Sequence, residues 1–310
     1  MKALIFPGQG CQKQGMGKDL YQISPYAKDL FDKASQILGW NIKDIMFNGS
    51  EENLMQTKNT QPAVFIYEVA LALSQKEILP DVVAGHSLGE FAALVVAGVI
   101  NFEDGLNLVL NRAIIGQKVC EKYPTGMGAV IGLSDEYVAK RIKEIWDESG
   151  EPIYFANYNG PGQVVITGSK KGVRLACKAL KNEGAKKAVP LAIGGSFHSP
   201  YMSDAQEELG KIVMNTEFKK AKIPVYQCVD AMPHMDPDKI KQNLIVHITH
   251  PVLWTQMVEN MNRDGVKEYY EVGTDDTLQK IVQRMIPEAK VQSLLDIPQY
   301  KGNVKNYIII

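Results

Sequence analysis

Gly85-His86-Ser87-Leu88-Gly89 is the stretch of this sequence best suited to covalent chemistry. Val82, Val83 and Ala84 before it read as a buried strand, and Phe91, Leu94, Val95 and Val96 after it read as a buried helix. Glycines on either side let the backbone turn sharply from strand to helix, which pushes the Ser87 hydroxyl outward and sets the Leu88 N–H beside it. That geometry suits a nucleophile. The simpler reading is a tight turn without chemistry, since Gly and Ser are common enough for this pattern to arise by chance. His198 offers the matching base: it lies in a loop-like stretch, Gly194 to Pro200, before a helix opening at Pro200, where an imidazole can cross a cleft. His86 competes for that role, but as a strand neighbour it should turn away from Ser87.

Two further groups bear on such a reaction. The glycine-rich run from Pro7 to Gly17 lacks the spacing of a phosphate loop. Its freedom instead lets backbone N–H groups approach a reacting oxygen, with Gln9 as the donor, although a plain turn is also consistent. Arg112 lies in a helix capped by Asn101 and marked by Leu106, Val109, Leu110 and Ala113. Beside such a stripe an arginine is ordinarily a snorkelling edge residue or half of an ion pair; its chemical alternative is two parallel hydrogen bonds to a carboxylate. His247 and His250 are three apart, yet no HExxH pattern or carboxylate cluster supports a metal.

The elements that must hold these residues follow from the rest of the chain. Its 310 residues suffice for one large domain with an insertion, and the net charge of −1, without a basic aromatic-rich run, argues against a nucleic-acid partner. The four cysteines show no CxxC or metal spacing and fit a reducing cytoplasm; no apolar stretch is long enough to span a membrane, the terminal Tyr307 to Ile310 included. A strand at Met1–Phe6, helices from Tyr26 and from Thr60 or Gln61 (with Pro62 in the first turn), then the Ser87 strand-turn-helix predict a parallel sheet with covering helices. After Pro124 the order changes to strand 127–133, helix 135–148, strands 153–157 and 163–168, helix 169–183 and strand 187–193. This βαββαβ order predicts a ferredoxin-like subdomain over residues 125–193, inserted in a catalytic domain of residues 1–124 and 194–310. A substrate would lie in the groove between the two.

Taken in order, FPGQG at 6–10, TQPA at 60–63, GHSLGE at 85–90, Arg112, PGQVVITG at 161–168, SFHSPYM at 196–202, HPVLW at 250–254 and YEVG at 270–273 resemble the malonyl-CoA:acyl-carrier-protein transacylase family over nearly the whole chain. The resemblance implies an α/β-hydrolase-like domain with a ferredoxin-like insert. It implies malonyl transfer from malonyl-CoA to an acyl carrier protein for fatty-acid biosynthesis, with no cofactor or metal. Ser87 matches the nucleophile, His198 the base, Gln9 and Leu88 the backbone oxyanion donors, Arg112 the carboxylate grip and Gln163 a substrate-site residue. Phe197 resembles the malonyl-selecting residue of related acyltransferases.

Three positions depart from the pattern. His247 replaces a usual glutamine whose carbonyl orients the catalytic histidine; a carbonyl survives, but a second imidazole would alter proton affinity. Gly116 replaces a methionine, which predicts a roomier pocket wall. Gly273-Thr274-Asp275-Asp276 replaces a GPGK-like turn and removes a basic contact. The competing functions are a serine hydrolase, which would need an acid ahead of His198, and a carrier-binding module without turnover.

Overall fold

The computed structural model describes residues 1–191 and 195–297; the end of the expected strand 187–193, the proposed boundary at 193/194 and the apolar terminus 307–310 lie outside them. Ten strands are present among the described residues: β1 Lys2–Phe6, β2 Val82–Gly85, β3 Thr125–Ile131, β4 Ile153–Gly160, β5 Gln163–Ser169, β6 Lys187–Pro190, β7 Val225–Tyr226, β8 Pro233–His234, β9 Glu268–Glu271 and β10 Lys290–Ser293. They form one sheet in the order β10-β9-β1-β2-β7-β8 and a second in the order β4-β5-β3-β6. The first is parallel except for the short edge strand β8.

The parallel sheet is apolar on both faces because both are covered. Leu4, Phe6, Val83 and Tyr270 pack into a core with the helices Pro25–Leu38, Thr57–Ser74, Gly89–Val96 and Phe102–Lys122, while Ala3, Ile5, Val82, Ala84 and Tyr269 pack against Trp254–Arg263 and Thr277–Met285. This is the two-residue alternation of a strand, read out on two sides.

The helix expected to start at Thr60 or Gln61 begins at Thr57, so Pro62 sits in its interior rather than its first turn. It is buried nearly all round, Thr60, Gln61 and Glu68 included, so no amphipathic stripe marks where it starts. β7, next to β2, is only two residues long.

The second sheet is antiparallel and packs the helices Asp135–Ser149 and Lys170–Asn182 on one face, around Val130, Ile142, Val164, Ile166 and Leu180. Its edge strand β4 is tied to the larger unit: Tyr158 N–H donates to Val252 O at 2.9 Å and Val252 N–H to Ala156 O at 2.8 Å. Those bonds set Asn157 and Asn159 facing the ends of β1 and β2. No helix among the described residues is long and apolar enough to cross a membrane.

Candidate active site

Ser87 stands where β2 turns into the helix Gly89–Val96, with φ at 53°, a left-handed conformation few non-glycine residues adopt. The turn is possible because its glycines touch backbone. A Cβ at Gly85 would lie 2.1 Å from Glu90 N, and one at Gly89 2.2 Å from Phe6 O. Glu90, buried in the first turn, pins the helix to the end of β7: its carboxylate accepts from Cys228 N–H at 2.8 Å and from Gln227 Nε2 at 3.0 Å. β1 and β2 pair in parallel with Phe6 opposite Gly85, so the loop with Gly8 and Gln9 leaves one strand beside the elbow that leaves the next. Gly8 approaches the His86 carbonyl so closely that a Cβ would lie 2.7 Å from it.

His198 also has a positive φ, 62°. Its loop is held by hydroxyls: Ser196 Oγ meets Thr167 Oγ1 of β5 at 2.6 Å and Ser199 Oγ at 2.9 Å, while His198 N–H donates to Ile248 O at 2.8 Å. The ring Nδ1 faces two carbonyls, His247 O at 3.1 Å and His250 O at 3.0 Å, which requires the proton on Nδ1 and leaves Nε2 as acceptor. Nε2 is 2.7 Å from Ser87 Oγ. The two histidines that spacing left as weak metal candidates thus act through their main chain.

Arg112 reaches the same oxygen. Its guanidinium is buried, donates from Nη2 to Ser87 Oγ at 3.1 Å and from Nη1 to Gln61 Oε1 at 2.9 Å, and meets no carboxylate among the described residues. Neither snorkelling nor an ion pair describes it. Gln61 in turn donates from Nε2 to Gln9 Oε1 at 3.2 Å, so one buried amide links the arginine to the glycine-rich loop. Nε, which shares a guanidinium edge with Nη2, has no acceptor among the described residues.

These groups line a cavity of about 310 Å³ between the two sheets, with Gln9, His86, Ser87, Arg112, Phe197 and His198 from one side and Met127, Asn157, Asn159, Gln163 and Val165 from the other. Gln163 stands at the rim, its Oε1 accepting from Arg284 Nη2 at 2.5 Å. His86 also lines the cavity, but its Nε2 bonds Asn159 Oδ1 at 2.8 Å rather than Ser87, the residue it was expected to turn from. The room expected at Gly116 is filled by the Phe197 ring. At the GPGK-like position, Thr274 O accepts from Lys13 Nζ at 2.8 Å, so that turn braces the glycine-rich loop.

Electrostatics favour a neutral imidazole. Burial first, and the Arg112 charge second, push His198 down to about 3 against the pull of the two carbonyls. The His247 ring lies 5.2 Å from it and is itself held well below its ordinary value by burial, so the second imidazole adds no positive charge at neutral pH. Burial lowers Arg112 to about 10, which leaves it cationic. A neutral base, a hydroxyl and a fixed cation converging on one oxygen can activate that hydroxyl toward an acyl group bearing a carboxylate.

Glu90, Cys228 and His247 form the one group of metal-type donors among the described residues. The Cys228 thiol already donates to Gly85 O at 3.0 Å, and burial pushes it well above its ordinary value, which keeps it protonated. Sequence reasoning missed Gln61, Asn157, Asn159 and the His250 carbonyl. TQPA and HPVLW contained the signals for Gln61 and His250, but nothing local to either motif names the partner.

Against known proteins, residues 3–309 match the model of the acyl transferase domain. The malonyl CoA-acyl carrier protein transacylase of Bacillus subtilis strain 168 is 38% identical over 299 residues, covering 95% of this chain and 93% of its own. Among solved structures, the malonyl CoA-acyl carrier protein transacylase from Coxiella burnetii is similar with a TM-score of 0.90 at 32% identity, covering 94% of this chain and 93% of that one. A malonyl-transacylase in complex with a type II PKS acyl-carrier protein is similar with a TM-score of 0.89 at 34% identity over 94% of each chain. Elbow, imidazole and buried arginine therefore sit in a frame shared over most of the chain with such proteins, and the chain belongs to the acyl transferase domain family.

Proposed function

We propose that this protein transfers a malonyl group from malonyl-CoA to the phosphopantetheine thiol of an acyl carrier protein, through a malonyl ester on Ser87, and so supplies fatty-acid biosynthesis. One observation supports this most: Ser87 Oγ is 2.7 Å from His198 Nε2 and 3.1 Å from Arg112 Nη2. His198 takes the hydroxyl proton as Oγ attacks the thioester carbonyl, the backbone N–H groups of Gln9 and Leu88 receive the oxyanion, and the CoA thiolate leaves with the proton from His198. The carrier thiol then gives its proton to His198 and attacks the ester, and Ser87 regains its proton. The carboxylate of the acyl group accepts two parallel bonds from the Nε and Nη2 edge of Arg112. Phe197 closes the pocket around it and Gln163 meets the arm of the thioester at the rim. The carbonyl of His247 fixes the imidazole, in place of the acid of a hydrolase triad.

The frame for this chemistry reads as an α/β-hydrolase-like domain, residues 1–124 and 194–310, with a ferredoxin-like insert over 125–193; the strand order β4-β5-β3-β6 supports the insert. The four cysteines form no disulfide among the described residues, which supports a reducing, cytoplasmic setting. Incubation with malonyl-CoA should add one malonyl mass to the intact protein, and holo-carrier protein should remove it with formation of malonyl-carrier. Rapid release of free malonate without carrier would instead favour a hydrolase, and absence of any adduct would reject the reading.

The pH dependence follows from the same site. An imidazole near 3 is neutral across the working range, so the single-turnover acylation rate should stay flat from about pH 8 to about pH 5, where an unperturbed histidine near 6.5 would already be protonated. Arg112→Ala removes the second cause of the depression and should move the acid limb upward. A wild-type limb near 6.5 contradicts the assignment of His198 as a neutral base.

A further inference from the structure

We propose that Gly116 determines acyl-group selectivity by seating the Phe197 ring, so that residues 116 and 197 act as one coupled unit. Gly116 lies four residues after Arg112 in the helix Phe102–Lys122 and hence on the same face, toward the cavity. A Cβ there would lie 2.8 Å from Phe197 Cζ and 3.0 Å from Cε1, closer than carbon atoms pack. The backbone on either side of Phe197 is tied by hydrogen bonds. His198 N–H donates to Ile248 O at 2.8 Å, and the Ser196 and Ser199 hydroxyls hold the turn on either side. Any side chain at 116 must therefore rotate the ring. On its inner side stands the Arg112 guanidinium, 5.1 Å from the ring centroid, and beyond it the acyl cavity.

Glycine at this position consequently does not widen the pocket. It forms a recess that the ring occupies, and the ring in that recess both leaves space for a small dicarboxylic acyl group and covers the arginine that would hold it. Removing the ring while keeping the glycine merges the recess with the cavity, which admits a malonyl group bearing a 2-alkyl branch. Removing the ring with a larger residue at 116 opens less space. This inference rests on the malonyl-transfer reading.

The test is a four-protein cycle: wild type, Gly116→Ala, Phe197→Ala and the double variant, each assayed for the rate of adduct formation with malonyl-CoA and with methylmalonyl-CoA. Alanine is a better helix former than glycine, so the helix itself tolerates the change. Gly116→Ala should slow malonyl acylation by about tenfold when Phe197 is present, and by less than about threefold when it is absent. Phe197→Ala should raise the methylmalonyl-to-malonyl ratio, and adding Gly116→Ala should lower it again. Equal loss in both backgrounds, whether through catalysis or folding, overturns the proposal, as does no loss in either. Failure of wild type to form any adduct rejects malonyl transfer itself, whereas a wild-type adduct with uncoupled 116 and 197 rejects only the coupling.

Discussion

Ser87→Ala is expected to abolish the malonyl adduct and to slow malonyl transfer by at least about 10⁴-fold. The oxygen removed is the point at which the His198 and Arg112 bonds meet, so its loss leaves base and cation in place with nothing to act on. Among the described residues, no other nucleophile in the cavity can substitute. Cys11 lines the same space, but burial first and nearby acids second push its thiol well above its ordinary value, so the reactive thiolate is not formed near neutrality. Intact-mass measurement before and after malonyl-CoA, with circular dichroism as a check on folding, decides the matter. An undiminished adduct in the variant would show that Ser87 is not the acyl carrier.

Arg112→Ala should lower the preference for malonyl over acetyl by about 10²–10³-fold. Truncation leaves the acyl carboxylate in a buried pocket without its counter-charge, a loss of roughly 2–5 kcal/mol, whereas an acetyl group has no carboxylate to lose. Arg112→Lys should recover little, because a single ammonium cannot bond Gln61, reach the Ser87 oxygen and present a two-pronged edge together. Comparing acylation rates from malonyl-CoA and acetyl-CoA for the three proteins gives the ratio directly. An unchanged ratio in Arg112→Ala would remove the arginine from acyl recognition.

What could be read from the chain beforehand follows a physical boundary. The Ser87 elbow was legible because strand, glycines and helix lie within fifteen residues, and the βαββαβ order that follows Pro124 because each element has its own period. The helices Lys18–Ile23, Ile42–Phe47 and Glu51–Leu54 were not, since four to six residues are too few to display a stripe. Gln61 stayed hidden for a different reason: its partners are 51 and 52 residues away, so only tertiary packing reveals what its amide joins. The same holds for Gly116, whose meaning depends on an aromatic ring 81 positions later that no local pattern connects to it. Arg112 was readable as a residue but not as a role, because an apolar stripe predicts burial and says nothing of which oxygen awaits the guanidinium.

The bond between Ser87 and His198 joins positions 111 residues apart, and the carbonyl that steadies the imidazole comes 49 residues later still. Such a centre is assembled late. Contacts of long sequence separation form after the loops between them close, so a chain still emerging or only half collapsed has its serine but neither base nor base-holder. On the proposed mechanism, reactivity toward thioesters is thereby withheld until the four-stranded sheet has formed and the chain has returned to the six-stranded one.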